Sequence, residues 1–493
     1  MQNPAPNVSK TALRPAELLG RRPAVLPAPL TSSAFPALEA CGIRLDLSGQ
    51  RLGVDDLAAL QRFALDADLR GVFAAMVRGD EANPTEHRAA LHTALRAGPG
   101  DLPAAPASVQ TAVAAERERL RDFALAVRSG AWAGAGGQRI SDVINIGIGG
   151  SDAGPRLVCQ ALQHVADGPR VHFVSNVDGS ILARLLPGLD PATTLVIVSS
   201  KSFSTRETLL NAASVRAWLE AAGIAGSKLS RHVVVVSARE GAAASLGLPP
   251  ANQFFLWDWV GGRFSVWSAV GLPALVNLGP ERFDALLAGA RDMDRHALEA
   301  KFEQNLPATM ALLEIWNSTV LQMPTLCVLA YDDRLAPMLG WLQQLQMESL
   351  GKSRCVDGVL SDIPTGPVVW GGVGTDAQHT FLQLLRQGTA RTAVDVICVE
   401  QPDHGYGEHH KVLVANARAQ VEALVTADAD SLAANAVSLI SIDRLTPGRL
   451  GSLMALYEHK VVMEAALLGI NAFDQPGVEL AKSVARRLER DEP

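Results

Sequence analysis

Cysteine is scarce: five residues in 493 (Cys41, Cys159, Cys327, Cys355, Cys398), odd in number, scattered and never spaced CxxC. That argues against a disulfide framework or a thiolate zinc site, and for reduced thiols in a cytoplasmic setting. Long apolar runs are also missing. No stretch reaches the ~18 residues a membrane span requires. The opening MQNPAPNVSK has no hydrophobic leader region, so neither a membrane nor an export route is expected. Basic residues do not dominate: 44 Lys and Arg against 51 Asp and Glu give a net charge of −7. Without a global positive field, nucleic acid is not an expected partner, and any anionic ligand must be held by local cations. Internal repeats and low-complexity tracts are absent.

What is present is a large apolar fraction, 48% hydrophobic against 19% charged, which fits a globular chain with a substantial interior. At this length a single core does not suffice. Residues 1–40 are rich in Pro and Ala and read as an N-terminal arm. Residues 41–107 carry helical apolar spacing, as in DDLAALQRFALDADLRGVFAAMVRG, and Ala112–Val127 repeats it with more charge. The period then changes. Asp142–Ile146, Val171–Val174, Leu195–Val198 and Val233–Val236 are short β-branched runs separated by helical segments, the pattern of a parallel sheet covered on both faces. Ala285–Leu321 is helical. Cys327–Leu329 and Val394–Val399 supply strands for a second sheet, and Ala417–Leu439 and Leu450–Leu468 read as helices. The expected fold is α/β: two αβα sandwich lobes with mainly parallel sheets, a first lobe over 108–275, a larger second lobe over 276–470 joined by 41–107, and a C-terminal helical tail over 471–493.

Several segments carry chemistry. Val198–Leu210, VSSKSFSTRETLL, places Ser199, Ser200, Lys201, Ser202, Ser204 and Thr205 where a strand meets a helix N-terminus. Hydroxyls, free N–H groups, an ammonium and the positive end of a helix dipole together make an anion site; a single capping hydroxyl would need no such reading. GIGGSDAGP (147–155) also follows a strand. It lacks both the dinucleotide G-x-G-x-x-G spacing and the terminal Gly-Lys-Ser/Thr of a nucleotide loop, and alone it is equally a tight turn. In GGRFS (261–265), Arg263 follows two glycines; it is a surface residue or a fixed cation for an oxyanion. Glu348 ends a helical stretch among Leu345, Met347 and Leu350, with Gly351 as its stop, and is a candidate base or a solvated glutamate. His379 follows GGVGT and reads as part of a helix containing Phe381 and Leu384. His404, His409 and His410 lack the HxxxH-plus-acid pattern of a metal site and read as a solvated loop. Gln475 and Lys482 lie at and beyond a Pro/Gly turn.

Taken together, GIGGSDAGP, SSKSFSTRET, GGRFSVWSAVGLP, QLQMESLGK, GTDAQHTFLQLLRQG and EHKVVMEAALLGINAFDQPGVELAK, in this order, make the chain resemble the glucose-6-phosphate isomerase family over about Val143–Lys482. The resemblance implies two α/β lobes with the site between them and interconversion of glucose and fructose 6-phosphates through a cis-enediolate, with no cofactor and no metal. It implies Glu348 as the base, Arg263 as the enediolate-stabilising cation, and His379 and Lys482 as ring-opening groups. Ser200, Lys201, Ser202 and Thr205 would hold the phosphate, near Gly150 and Ser151, with Gly262, Glu207 and Gln475 completing the pocket. It also implies a homodimer in which His379 crosses the interface. The chain departs from the family pattern at Ser202, Ser204, Arg206, Leu350 and Pro476. Those departures leave a dual glucose/mannose phosphate isomerase open as an alternative; a second, from another class, is a non-catalytic sugar-phosphate regulator, which would be expected to lack the base or the arginine, whereas Glu348 and Arg263 are both present.

Overall fold

The computed structural model describes residues 18, 20–21, 27–30, 35–98, 100–101, 104–426, 435–478, 484 and 487–488. Most of the expected N-terminal arm and most of the tail beyond Val478 lie outside these residues.

Two strands open the described chain, β1 (Leu38–Ala40) and β2 (Ile43–Gly49). Five more follow: β3 (Asp142–Ile146), β4 (Arg170–Val174), β5 (Thr194–Ser199), β6 (Val233–Ser237) and β7 (Gln253–Phe255). The last four are β8 (Thr325–Tyr331), β9 (Val368–Val373), β10 (Ala393–Val399) and β11 (Ala436–Ile442).

The first sheet runs β4-β3-β5-β6-β7 and is parallel throughout. Its central strands DVINI, TLVIVS and VVVVS are buried at every position. Continuous β-branched runs of this kind suit a sheet covered on both faces. The strand order reverses at β3: β4 lies on one side and β5 on the other. Where the order reverses, the connections leave in opposite directions and open a crevice beyond the strands' C-terminal ends. The loops after β3 and β5 meet there, and a β-carbon on Gly147 would come within 3.1 Å of the Ser199 carbonyl oxygen.

The second sheet runs β1-β2-β11-β10-β8-β9, with β8 to β11 parallel and β2 antiparallel to β11. Strand β2 lies inside the stretch 41–107 expected to be helical. Its sequence IRLDLSG buries alternate residues, the period of a strand with one face inward. Strand β9 was also hidden in the sequence, because Gly371 and Gly372 interrupt its apolar run. Gly371 has φ +143°, and a β-carbon there would sit 2.0 Å from the Val328 carbonyl oxygen of β8.

Three further sequence expectations are corrected. The helix expected over Ala417–Leu439 is instead Gly407–Val425, and β11 begins at Ala436. The β-branched run AVSLISI, buried at all but one position, favours a central strand over continued helix. His409 and His410 lie within that helix rather than in a loop, and buried His410 places Nε2 3.0 Å from the Glu400 carbonyl oxygen. His379 caps the short helix Gly374–Gln378 and is separated from the next helix, Leu382–Gln387.

The helix Pro447–Leu468, against β2 of the second sheet, is buried along almost its whole length. It packs on Pro280–Glu299 and Leu306–Ile315. Polar groups survive in this interior because they are paired. Arg96 donates to both oxygens of Asp294, at 2.8 and 2.7 Å, and to Glu458 at 2.6 Å. Trp267 Nε1 donates to the other Glu458 oxygen at 2.7 Å, which fixes the segment just after Arg263. Among the described residues no helix is long and apolar enough to cross a membrane.

Candidate active site

The crevice at the reversal of the first sheet is lined on one side by the loop after β5. Its local structure follows from its sequence: Ser200 N–H donates to the Val236 carbonyl at 3.0 Å, and Phe203 turns the chain with φ +50°. Thr205 is the N-cap of the helix Arg206–Ala221, yet its side chain makes no capping hydrogen bond. Instead the hydroxyls bond one another: Ser200 Oγ donates to Thr205 Oγ1 at 3.3 Å, and Ser202 and Ser204 pair at 2.8 Å. The first-turn N–H groups of a sixteen-residue helix therefore face this cluster without a side-chain cap. Glu207, in that first turn, is half-buried.

Lys201 is tied down on the far side of the loop. Its ammonium donates to the carbonyls of Asp258 at 2.6 Å and Val260 at 2.8 Å, leaving one N–H. Burial first, and then the positive charge of Arg88, push its pKa down to about 8.

Gly150 and Ser151 begin the helix Gly150–Ala161 at the end of β3. A β-carbon on Gly150 would lie 1.9 Å from the Gly262 carbonyl oxygen, so only glycine lets this helix start press against the Gly262–Arg263 turn. That contact brings the third part of the site to the crevice.

Arg263 is 3% exposed. Nε donates to Ser349 Oγ at 2.6 Å, Nη1 to Gln475 Oε1 at 3.2 Å, and Nη2 to the carbonyls of Ala472 and, at 3.1 Å, Asp474. Nη1 also lies 3.5 Å from Glu348 Oε1. Burial pulls the guanidinium below its ordinary pKa and Glu348 opposes that. An arginine remains charged regardless. Four of the five N–H donors thus have hydrogen-bond acceptors, and Nη1 faces Glu348 in an ion pair.

Glu348 ends a π-helical turn, Gln343–Glu348, that continues the helix Met338–Leu342. Widened turns of this type are frequent at functional sites. The carboxylate is 24% exposed, so a ligand in the crevice can reach it. Gln344 Nε2 donates to its second oxygen at 3.0 Å and approaches Gly149 of the glycine loop.

The structure therefore brings together Gly150, Ser151, Gly262, Arg263, Glu348 and Gln475, with Ser200, Ser202 and Thr205 on the neighbouring loop. It does not bring His379 to them. His379 is exposed after β9 and makes no hydrogen bond or ion pair to any described member of the set. Lys482 lies outside the described residues. Sequence reasoning missed Gln344, Ser349, Lys352 and Asp474. Gln344 stands one helical step of four before Glu348, and Ser349 and Lys352 lie within the same QMESLGK segment, so a helical projection around Glu348 would have found three of the four. Two departures from the family pattern also find their place: Leu350 is fully buried in the core, and Pro476 is exposed.

The geometry agrees with three comparisons to known proteins. The family model described as phosphoglucose isomerase matches residues 46–492. A glucose-6-phosphate isomerase of Burkholderia pseudomallei is 46% identical over 484 residues, covering 94% of this chain and 88% of that protein. One from Cupriavidus metallidurans is 46% identical over 479 residues, covering 92% of this chain and 88% of the relative. Among solved structures, a glucose-6-phosphate isomerase from Chlamydia trachomatis superposes with a TM-score of 0.86 at 30% identity, over 97% of this chain and 95% of that one. A glycine turn pressed on a buried arginine, a carboxylate beside it and a hydroxyl loop across the crevice thus coincide with a match along nearly the whole sequence: the chain belongs to the phosphoglucose isomerase family.

Proposed function

We propose that this protein interconverts glucose 6-phosphate and fructose 6-phosphate, a step of glycolysis and gluconeogenesis, by proton transfer through a cis-enediolate. The observation that carries the reading is the pairing of a buried guanidinium, held by four hydrogen bonds, with a partly exposed carboxylate 3.5 Å from its Nη1, beside the reversal point of the first sheet. Moving a carbonyl between C1 and C2 requires a base that removes the C2 proton and returns it at C1, while a hydroxyl proton moves from O2 to O1. Glu348 is that base. The developing enediolate oxygen needs a cation that is already in place, and Arg263 Nη1 supplies it with little reorganisation.

The phosphate takes the other end of the crevice: Ser200, Ser202 and Thr205 donate hydroxyls, the N-terminus of the Arg206–Ala221 helix donates N–H groups, and Lys201 adds charge. Binding energy from this remote group orients the reacting carbons. Gly150, Ser151, Gly262, Glu207 and Gln475 complete the enclosure. His379 and Lys482 open the sugar ring, with His379 supplied by the second subunit of a homodimer. Its exposure and its distance in the hydrogen-bond network from Glu348 favour that assignment. The setting is cytoplasmic, in keeping with five free cysteines.

The test is conversion of fructose 6-phosphate to glucose 6-phosphate in the presence of EDTA, with mannose 6-phosphate run in parallel. Turnover in EDTA is expected. Binding of the sugar phosphate without turnover would replace this reading by that of a regulator, and comparable turnover of mannose 6-phosphate would widen the substrate range.

A further inference from the structure

Lys352 is absent from the roles assigned above, yet among the described residues its ammonium makes three hydrogen bonds and an ion pair beside the site. Its ammonium donates to the carbonyls of Glu348 at 2.9 Å, Ser349 at 2.7 Å and Asn471 at 2.8 Å, and lies 3.4 Å from Asp474 Oδ1. The three N–H donors are therefore all committed. Bonds to Glu348 and Ser349 are what any lysine at a helix C-terminus can make. The bond to Asn471 is different, since it crosses 119 positions of sequence to another loop.

That loop is the one that grips Arg263. Arg263 Nη2 donates to the carbonyls of Ala472 and Asp474, and Nε returns to Ser349 Oγ. A closed ring results: Ser349 to Lys352, Lys352 to Asn471, the 471–474 backbone to Arg263, and Arg263 back to Ser349. The loop is braced from outside as well. Asn471 Nδ2 donates to Asn83 Oδ1 and Thr85 Oγ1, both at 2.8 Å, and Thr85 Oγ1 donates to Asp474 Oδ2 at 2.6 Å. Arg263 is one member of this ring and Glu348 immediately precedes another, Ser349, so its closure sets the gap between them.

We propose that Lys352 is a positioning residue that fixes the spacing and orientation of Glu348 against Arg263. This rests on the reading of Glu348 as base and Arg263 as cation. Lys352 does not touch the reacting carbons; its ammonium faces three backbone carbonyls. Burial, with the charge of Arg263 second, pushes its pKa down to about 8, while Asp474 and Glu348 oppose that shift. Arginine is a poor substitute, because a planar fork cannot direct three bonds at converging carbonyls as a tetrahedral ammonium does.

The experiment uses the full chain with Lys352→Met and Lys352→Arg, alone and combined with Glu348→Gln. Readouts are kcat, KM for fructose 6-phosphate, inhibition by inorganic phosphate, the primary isotope effect on glucose 6-phosphate deuterated at C2, and the thermal midpoint. Misplacing a reacting group by about 1 Å costs roughly 100-fold, so Lys352→Met should lower kcat about 30- to 100-fold. KM and phosphate inhibition should stay within roughly 3-fold, because ground-state binding is untouched. The isotope effect should rise as proton transfer becomes more limiting, and Lys352→Arg should not restore kcat. Adding Lys352→Met to Glu348→Gln should cost little more, since groups acting as one unit are not additive.

Unchanged kcat in Lys352→Met, with Glu348→Gln inactive, would overturn the role of Lys352 and leave the base assignment standing. Loss of phosphate inhibition with kcat preserved would overturn it in favour of ligand binding. A fall in activity that only tracks loss of folded protein, with an unaltered isotope effect, would reduce Lys352 to a structural residue. Full turnover in Glu348→Gln would remove the base itself, and the positioning role with it.

Discussion

The loop after β5 and the ring around Arg263 are built on opposite principles. In the loop, four hydroxyls bond one another rather than the backbone, Thr205 leaves its helix uncapped, and Lys201 keeps one N–H uncommitted. In the ring, four of the five donors of Arg263 and all three of Lys352 already hold hydrogen bonds, and Arg263 Nη1 faces Glu348 in an ion pair. The two lysines carry the same depressed pKa of about 8, from the same cause, burial. They differ in what surrounds them. One end of the crevice has spare hydrogen-bonding capacity for an incoming anion; the other is already saturated and can change little when substrate arrives. A site that binds at one end and reacts at the other needs both properties.

The contrast can be broken from the reacting side with the largest effect. Glu348→Gln is isosteric and keeps the Gln344 contact within reach. Loss of a general base costs up to about 10⁴-fold, so kcat should fall roughly 10³- to 10⁴-fold with KM nearly unchanged, measured in a coupled spectrophotometric assay. A large rise in KM would place Glu348 in binding instead. Arg263→Met comes next. Removing a preorganised donor to a developing oxyanion costs about 10²- to 10³-fold in kcat. It also leaves the carbonyls of Ala472 and Asp474 and the Ser349 hydroxyl without their donor, so the melting midpoint should drop as well. That combined loss distinguishes a residue of the saturated end.

The open end should respond to pH. In the proposed reading Lys201 acts as an ammonium, so its contribution is expected below a pH of about 8 and should fade above it. The kcat/KM profile reports the free enzyme, and it should therefore fall as pH rises through about 8. Lys201→Met should raise KM at neutral pH and flatten the Lys201 part of that fall. A profile identical to the parent's would exclude Lys201 from phosphate binding. The smallest effect belongs to Ser200→Ala. One hydrogen bond in a redundant cluster is worth about 0.5–1.5 kcal/mol, so KM should rise roughly 2- to 12-fold with kcat intact. A kcat effect larger than the KM effect would erase the division of labour between the two ends.

How much of this was legible in the sequence depends on which interaction decides each element. The strands of the first sheet could be read because DVINI, TLVIVS and VVVVS are uniformly apolar and β-branched, and burial on both faces demands that. The hydroxyl loop was legible because composition concentrates there. Strand β9 was not, since Gly371 weakens a strand locally and is placed by close approach to Val328, a contact far away in sequence. Strand β11 was absorbed into a helix because the run through Leu439 has no strong breaker. At the site, Glu348 and Arg263 were candidates from their segments and gained roles only through the family resemblance, and the ring joining them was not legible. It depends on the carbonyls of Ala472, Asp474 and Asn471, and a backbone oxygen carries no side-chain signature.

The pairing of β2 with β11 has a consequence for how the protein is made. Gln50, just after β2, donates to Ser438 of β11 across 388 positions. On the ribosome, β2 emerges early and its permanent neighbour last. At about 5–20 residues per second, roughly 20–80 s separate the two. The first sheet, whose strands all fall between Asp142 and Phe255, can assemble within that interval. The second sheet must wait with β2 paired to β1 on one side only and its other, half-apolar edge on display. A nascent chain in this state is open to edge-to-edge capture, and a messenger cut short before codon 436 would yield a protein with one finished sheet and one that can never close.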